Sequence, residues 1–351
     1  MSERPPVAAG SCTSDFDYDL PPDLIAQQPI VDRGSSRLLI VRRTGDPEME
    51  DRGFADLLDV VAPGDLLVLN TTRVRHARFM GRRSSGALAE VLLIHPAKED
   101  RWIAIGKPGS ALKPGKRIQI GDDAFIETMA VLEEGFREVR FIGLTATQAL
   151  ETFGRLPLPP YITRDPDSAD ELRYQTVYAE REGSVAAPTA GLHFTTALLA
   201  ALETKGVAIA RLDLEVGPGT FKPIEVEDPL RHPMHPERFD IPETTATLVR
   251  ELRHRGGRLW AVGTTVVRAL ESAGTADGMV RPGSGETRLL ITPGYRFGVV
   301  DRLLTNFHLP RSTLLMLVAG FGGYDRVMAA YRRAVSGRYR FYSYGDAMVI
   351  L

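Results

Sequence analysis
The sequence predicts a mixed α/β main domain interrupted by a small antiparallel β-barrel. Three observations lead there: helix and strand patterns alternate after residue 156, short alternating segments broken by Gly, Pro and Asp fill residues 75–150, and the proline-rich LPLPPYI at 156–162 separates the two textures. The expected division is a mobile N-terminal tail over 1–15, a catalytic α/β domain over 16–74 and 156–351, and an inserted β-barrel domain over 75–155.

In chain order, DLLVLN at 65–70 is a short apolar run after turn residues and predicts a buried strand. HARFMGRR, LAEVLLIHP, RWIAIGKP, KRIQIG and FREVRFIG supply the barrel strands. LPLPPYI is too proline-rich for a helix or a central strand and returns the chain from the barrel. Thr195 or Thr196 caps a helix carrying Leu198, Leu199 and Leu202, and Gly206 ends it before the strand VAIARLDLEV. Residues 243–255 repeat the scheme, with Ala246, Val249 and Leu252 on one face and Gly256-Gly257 as the stop before RLWAVG. The last helix, YDRVMAAYRRAVSG, sets Val327, Tyr331 and Val335 one turn apart.

Composition narrows the function. At 351 residues, 43% hydrophobic and 25% charged, the chain is an ordinary globular one with room for two domains. No apolar run reaches the roughly 20 residues that span a bilayer, and MSERPPVAAGSCTSD lacks a signal core, so a cytoplasmic protein without membrane contact is expected. Cys12 is the single cysteine, which excludes an intramolecular disulfide, a four-cysteine zinc site and a cysteine-held iron–sulfur cluster. The net charge of −2 is not that of a nucleic-acid binder, so local patches must carry any such role.

Five irregular segments carry the candidate chemistry. SVAAPTAGLHF at 184–194 is a close-approach loop in which Thr189, Gly191 and His193 can face a ligand; a tight turn with a buried, satisfied histidine is the alternative. VGPGTFKPI at 216–224 lies at the carboxyl end of a strand, where Gly217 and Gly219 let backbone approach a flat ligand, Thr220 adds a hydroxyl and Lys222 can meet a carboxylate or phosphate; an ordinary Gly-Pro turn without function is the alternative. HPMHPE at 232–237 offers His232, His235 and Glu237, but a proline after each histidine argues for proton transfer by His235 or Glu237 and against a metal. In AVGTTVVRALES at 261–272, Gly263, Thr264 and Thr265 open a helix that can hold an anion, reinforced by Arg268, unless a threonine simply caps it. In TNFHLPRSTLLMLV, Asn306 and His308 flank a buried-type phenylalanine before a helix capped at Ser312, and need polar partners inside. Arg73, Arg75, Arg78, Arg82 and Arg83 form one basic stretch, and Arg332, Arg333, Arg338 and Arg340 lie near Tyr339, Phe341, Tyr342 and Tyr344; arginines and aromatics are the ingredients of RNA-loop recognition, a solvated basic face being the alternative.

These segments, with FDYDLPPDLIAQQP, LLVLNTTRV, PLPPYI, YQTVYA and the terminal YRFYSYGDAMV, resemble in identity and order the S-adenosylmethionine:tRNA ribosyltransferase-isomerase family over nearly the whole chain. The resemblance implies an α/β domain with an inserted β-barrel. It also implies the reaction: the ribosyl part of S-adenosylmethionine moves to 7-aminomethyl-7-deazaguanine in the tRNA anticodon and becomes an epoxycyclopentane, giving epoxyqueuosine-tRNA with release of adenine and methionine. The nucleoside is then a co-substrate, no further cofactor is expected, and a monomer is expected. For that chemistry His193, His235 and His308 are the expected proton-transfer groups, Asn306, Thr264 and Thr265 orient hydroxyls or the leaving base, and Glu237 is a reserve acid or base. The sequence departs from the family pattern at Thr71, His76-Ala77, Glu215, Pro218, Pro236 and LLITPGYRF. Competing readings are a divergent paralogue with another acceptor and a non-catalytic RNA-binding protein of the same fold. A conventional methyltransferase lacks support, since no glycine-rich loop follows a first strand.

Overall fold
The fold is that of a computed structural model, which describes residues 10–217, 219 and 224–351. Strands β1 (Arg37–Val41) and β2 (Met49–Gly53), helix α1 (Leu57–Val60), and strands β3 (Leu66–Asn70) and β4 (Thr72–Val74) come first. Six strands follow: β5 (Arg78–Arg82), β6 (Leu88–Pro96), β7 (Arg101–Lys107), β8 (Arg117–Gln119), β9 (Phe125–Val131) and β10 (Arg137–Ile142). Then come α2 (Ala146–Phe153), α3 (Ser168–Arg173), β11 (Arg181–Ser184), α4 (Thr196–Thr204), β12 (Ala208–Leu214), β13 (Glu237–Ile241), α5 (Glu243–Arg255), β14 (Leu259–Val262) and α6 (Thr264–Ala273). The chain finishes with β15 (Gly283–Thr287), β16 (Arg302–Asn306), α7 (Thr313–Gly322), α8 (Tyr324–Ser336) and β17 (Ala347–Ile350).

Nine strands form one mixed sheet in the order β15-β13-β12-β3-β14-β16-β17-β1-β2, whose centre, β12-β3-β14-β16, is parallel. All five residues of β3 are buried because both faces are covered. Leu66 and Val68 join the cluster made with α5 to α8, while Leu67 and Leu69 join the one made with Leu57 of α1 and Leu202 of α4. This two-sided burial gives a continuous apolar run instead of an alternating one. The Asp65 carboxylate fixes the register at the start of β3, accepting from Trp260 Nε1 at 2.8 Å and Arg258 N–H at 3.0 Å.

The six strands β5 to β10 close as an antiparallel barrel in the order β10-β7-β6-β5-β8-β9. Their inward residues, among them Phe79, Val91, Trp102, Ile126 and Val139, form a separate core that α2 covers through Ala149. The closing contact pairs Arg82 with Gln119, where Gly81 is required because a Cβ would sit 2.5 Å from Gln119 O.

Helix ends follow local chemistry. Thr195 Oγ1 accepts from Leu198 N–H to cap α4, Ser312 Oγ accepts from Leu315 N–H to cap α7, and Gly256 at φ +71° ends α5. Residues 10–15 correct the expected mobile tail: the Asp15 carboxylate accepts the N–H groups of Gly10, Ser11 and Cys12, Thr13 N–H donates to Glu227 O at 2.8 Å, and Thr13 is buried. Among the described residues no helix is long and apolar enough to cross a membrane.

Candidate active site
The parallel strands place their carboxyl ends together, and a cavity lies there, as open α/β sheets favour. It is lined by residues following β14 (Gly263, Thr264, Thr265), residues at the end of β16 (Thr305, Asn306, His308), Thr189 of a short 3-10 turn, and Tyr342 and Ser343 from the C-terminal segment. Gly263 takes φ +101°, which brings the chain abruptly from β14 into α6, and no threonine side chain caps that helix.

Asn306, 2% exposed, is held from behind. Its Nδ2 donates to Tyr342 O at 3.1 Å and meets His193 Nε2 at 3.1 Å. With both amide protons so used, His193 Nε2 is an acceptor, and its Nδ1–H donates to Ser36 Oγ at 2.7 Å. The imidazole stacks on Phe54 at 4.9 Å and is neutral, its pKa pushed down to about 3 by burial first and by Arg340, Arg33 and Arg173 after it. This arrangement leaves Asn306 Oδ1 buried beside the cavity with no hydrogen-bond partner. A buried acceptor without a partner costs free energy that a ligand donor can return.

His308 lines the cavity directly. Thr305 Oγ1 donates to Asn306 O at 3.3 Å and therefore accepts from His308 Nε2–H at 2.8 Å, which leaves Nδ1 with a bare lone pair. Main-chain bonds from His308 N–H to Tyr331 Oη at 2.9 Å and from Tyr18 Oη to His308 O at 2.5 Å hold the residue in place. Burial pushes its pKa down to about 3.

A smaller cavity adjoins, sharing Leu314 with the first and lined by Gly217, Gly219, His235, Glu237 and Arg268. Glu237 and Arg268 form a buried ion pair; Glu237 Oε1 accepts from Gly217 N–H at 3.3 Å, and Arg268 Nη2 is buried without a partner. His235 Nδ1 lies 2.6 Å from Glu134 Oε2, on the turn between β9 and β10. Gly219 is needed for His235, since a Cβ there would approach its Cδ2 to 2.6 Å.

The site residues expected from sequence thus fall into groups. Thr189, Gly263, Thr264, Thr265, Asn306 and His308 share one cavity, and Gly217, Gly219, His235, Glu237 and Arg268 share the next. Thr220 and Lys222, like Pro218, lie outside the described residues. His193 stands behind Asn306 and is absent from the lining of the main cavity, with both ring nitrogens occupied. Gly191 lines neither cavity, and a Cβ there would overlap the Tyr178 hydroxyl, so packing demands the glycine. Among the described residues no group of three or more His, Cys, Asp or Glu is placed to hold a metal.

The basic stretches dissolve into different settings. Arg73 donates to Ala179 O, Arg75 stacks over Trp102 at 5.1 Å, Arg78 pairs with Glu90, Arg82 donates to Gly86 O, and Arg83 Nε is buried without a partner. Arg332 is exposed, whereas Arg333 pairs with Asp51 of β2. The aromatics near them are largely core: Tyr339 and Phe341 are wholly buried, while Tyr342 lines the main cavity and Tyr344 the depression beside Arg33. Of the departures, Thr71 is buried and bonds Asp213 Oδ1 at 2.8 Å, while Glu215 lines a separate cavity with Arg181 and Arg238. Sequence reasoning missed Ser36, Phe54, Tyr161, Thr305 and Ser343; a hydroxyl next to Asn306, in Thr305, was the one local signal on offer.

A profile described as queuosine biosynthesis protein matches residues 13–350. The S-adenosylmethionine:tRNA ribosyltransferase-isomerase of Ralstonia pickettii is 52% identical over 338 residues, covering 96% of this chain and 94% of that one. The protein of the same name from Symbiobacterium thermophilum is 51% identical over 341 residues, covering 96% and 99%. The crystal structure of S-adenosylmethionine tRNA ribosyltransferase from Thermotoga maritima shares 38% identity over 96% of this chain and 99% of that one, with a TM-score of 0.55. On this agreement across almost its entire length, the chain belongs to the queuosine biosynthesis protein family of S-adenosylmethionine:tRNA ribosyltransferase-isomerases.

Proposed function
We propose that this chain transfers and isomerises the ribosyl group of S-adenosylmethionine onto 7-aminomethyl-7-deazaguanine in tRNA, releasing adenine and methionine. The observation that carries the proposal, beside family membership, is Asn306 Oδ1: a buried acceptor at the cavity wall, short of one donor, in a cavity at the carboxyl ends of parallel strands. A ribose hydroxyl or the adenine amine supplies such a donor.

The chemistry needs a base for a C5′ hydrogen that the sulfonium acidifies, and a proton for the departing adenine. His308 offers Nδ1 for proton transfer. Asn306, Thr264 and Thr265 orient the sugar and the base, and His193 acts through Asn306 by fixing its amide. Thr189 joins this wall. The methionine end lies toward Gly217, Gly219 and Arg268, with Thr220 and Lys222 next in the sequence segment VGPGTFKPI, and His235 and Glu237 are further proton-transfer groups. The barrel serves as an inserted domain over 75–155 that brings Arg75, Arg78, Arg82 and Arg83 to the tRNA, beside Arg73 on β4 and Arg332 and Arg333 on α8. The working form is a cytoplasmic monomer that needs no cofactor beyond its co-substrate. The departures give no support to a different acceptor, since Glu215 lies off the main cavity and Thr71 is bonded within the fold. Incubation with S-adenosylmethionine and tRNA carrying the aminomethyl base tests the proposal: adenine and methionine should appear with a matching mass gain on the tRNA, and a methylated product or an unchanged tRNA mass refutes it.

A further inference from the structure
Behind His193, on the side away from the main cavity, lies a second small depression, lined by Arg33, Gly34, Ser36, Arg173, Leu192, His193 and Ser343 among others. It shares Ser343 with the main cavity. Two guanidinium groups from distant parts of the chain, those of Arg33 and Arg173, line it, and a third, that of Arg340, bonds one of its lining residues. Arg33 donates to Gln175 O, Leu192 O and Leu172 O at 2.9, 3.1 and 2.8 Å. Arg173 donates to Val31 O at 2.8 Å, and its Nε is buried without a partner. Arg340 donates to Gln28 O and to Tyr344 O, the latter on the rim of the depression.

Every hydrogen-bond partner of these three side chains among the described residues is a neutral main-chain carbonyl, and none of the three makes an ion pair there. The one carboxylate beside Arg340, that of Asp346, is occupied by the main-chain N–H groups of Arg37 and Arg340 at 2.9 and 2.8 Å. Like charges held together repel: after the larger effect of burial, Arg173 lowers the pKa of Arg33, and it lowers that of Arg340 too, where the Asp346 carboxylate offsets part of the effect. A protein tolerates such a concentration of guanidinium where an anion neutralises it, and guanidinium suits phosphate oxygens in particular.

We propose that Arg33, Arg173 and Arg340 form a phosphate site for the RNA backbone, one that sets the sugar-phosphate of the substrate tRNA against the wall behind His193 and Asn306. Arg33 supplies charge, its donors being already engaged, while Arg173 and Arg340 have N–H groups left to bond the phosphodiester oxygens. The inference rests on the tRNA reading above, and its test separates the two. Binding of tRNA by wild type, Arg173→Gln and Arg340→Gln is measured against potassium chloride concentration, with S-adenosylmethionine affinity measured in parallel. Each substitution should lower tRNA affinity several-fold at physiological salt and flatten the slope of log affinity against log salt by about 0.7–0.9, the value of one lost phosphate contact, with S-adenosylmethionine affinity unchanged. Unchanged slope and affinity in either variant that melts as the wild type does overturn the site. A second arm uses inorganic phosphate at constant ionic strength, which should raise the melting temperature of the wild type and raise that of Arg173→Gln less. Should the wild type bind no tRNA, the proposed function fails, while protection by phosphate that Arg173→Gln loses still supports an anion site; absence of that protection overturns it independently of tRNA.

Discussion
Replacing Asn306 by leucine keeps the shape of the side chain and removes both its amide protons and its unpaired oxygen. In the free protein, Tyr342 O and His193 Nε2 each lose a donor at 3.1 Å. Two orphaned buried acceptors cost about 1–3 kcal/mol each, but loss of the unpartnered Oδ1 removes a comparable penalty, so the net destabilisation should be about 1–3 kcal/mol. Ligand binding should suffer separately. One hydrogen bond to a ligand donor corresponds to about tenfold in affinity, or about 1.4 kcal/mol. At a concentration 100 times the wild-type dissociation constant, S-adenosylmethionine should stabilise the wild type by about 2.7 kcal/mol and Asn306→Leu by only about 1.4 kcal/mol. Urea unfolding with and without the nucleoside reads both quantities on the same samples. If Asn306→Leu gains as much from the nucleoside as the wild type does, Oδ1 does not face the ligand and the argument for the cavity falls.

Other expectations follow from the same contacts. His193 is neutral with a pKa of about 3 in the fold and titrates near 6.5 when unfolded, so the unfolded chain takes up the extra proton between these values. Stability is therefore full above about pH 6.5 and falls by about 1.4 kcal/mol per pH unit as pH drops toward 3, a slope that urea titration at several pH values should find reduced in His193→Phe. His308→Gln, which keeps a polar side chain on the wall, should lower kcat by about 10²–10⁴ while changing S-adenosylmethionine affinity little, and unaltered turnover would remove His308 from proton transfer. Glu237→Gln leaves the Arg268 charge buried without its partner and should cost about 3–5 kcal/mol in denaturant titration. Gly191→Ala, which drives a methyl group into the Tyr178 hydroxyl, should destabilise by about 1–3 kcal/mol, and nucleoside affinity in the folded fraction should stay at the wild-type value.

Local sequence carried much of the architecture. The run at 65–70 became β3, the Thr195 and Ser312 caps opened α4 and α7, and Ala246, Val249 and Leu252 form the buried face of α5. These features are legible because apolar periodicity and capping act over a few residues. The gathering of Thr264, Thr265, Asn306 and His308 was legible more indirectly, since each ends a parallel strand or opens the helix after one, and parallel strands bring such ends together.

What the sequence left open is whatever depends on a partner far along the chain. Ser36, His193, Asn306 and Tyr342 form one hydrogen-bonded relay although 157, 113 and 36 residues separate successive members. Periodicity reports which face is apolar and says nothing about which distant donor meets a given acceptor. For the same reason the sequence could not show that Tyr339 and Phe341 are wholly buried while Tyr342 lines the cavity, or that a Cβ at Gly191 would meet the Tyr178 hydroxyl. Sequence alone determined the family, the α/β layering and the polar side chains available for catalysis. Tertiary structure decided which ring nitrogen is bare, which amide oxygen lacks a donor and which three arginines bond main-chain carbonyls near one another, because protonation and electrostatic balance are set by neighbours in space.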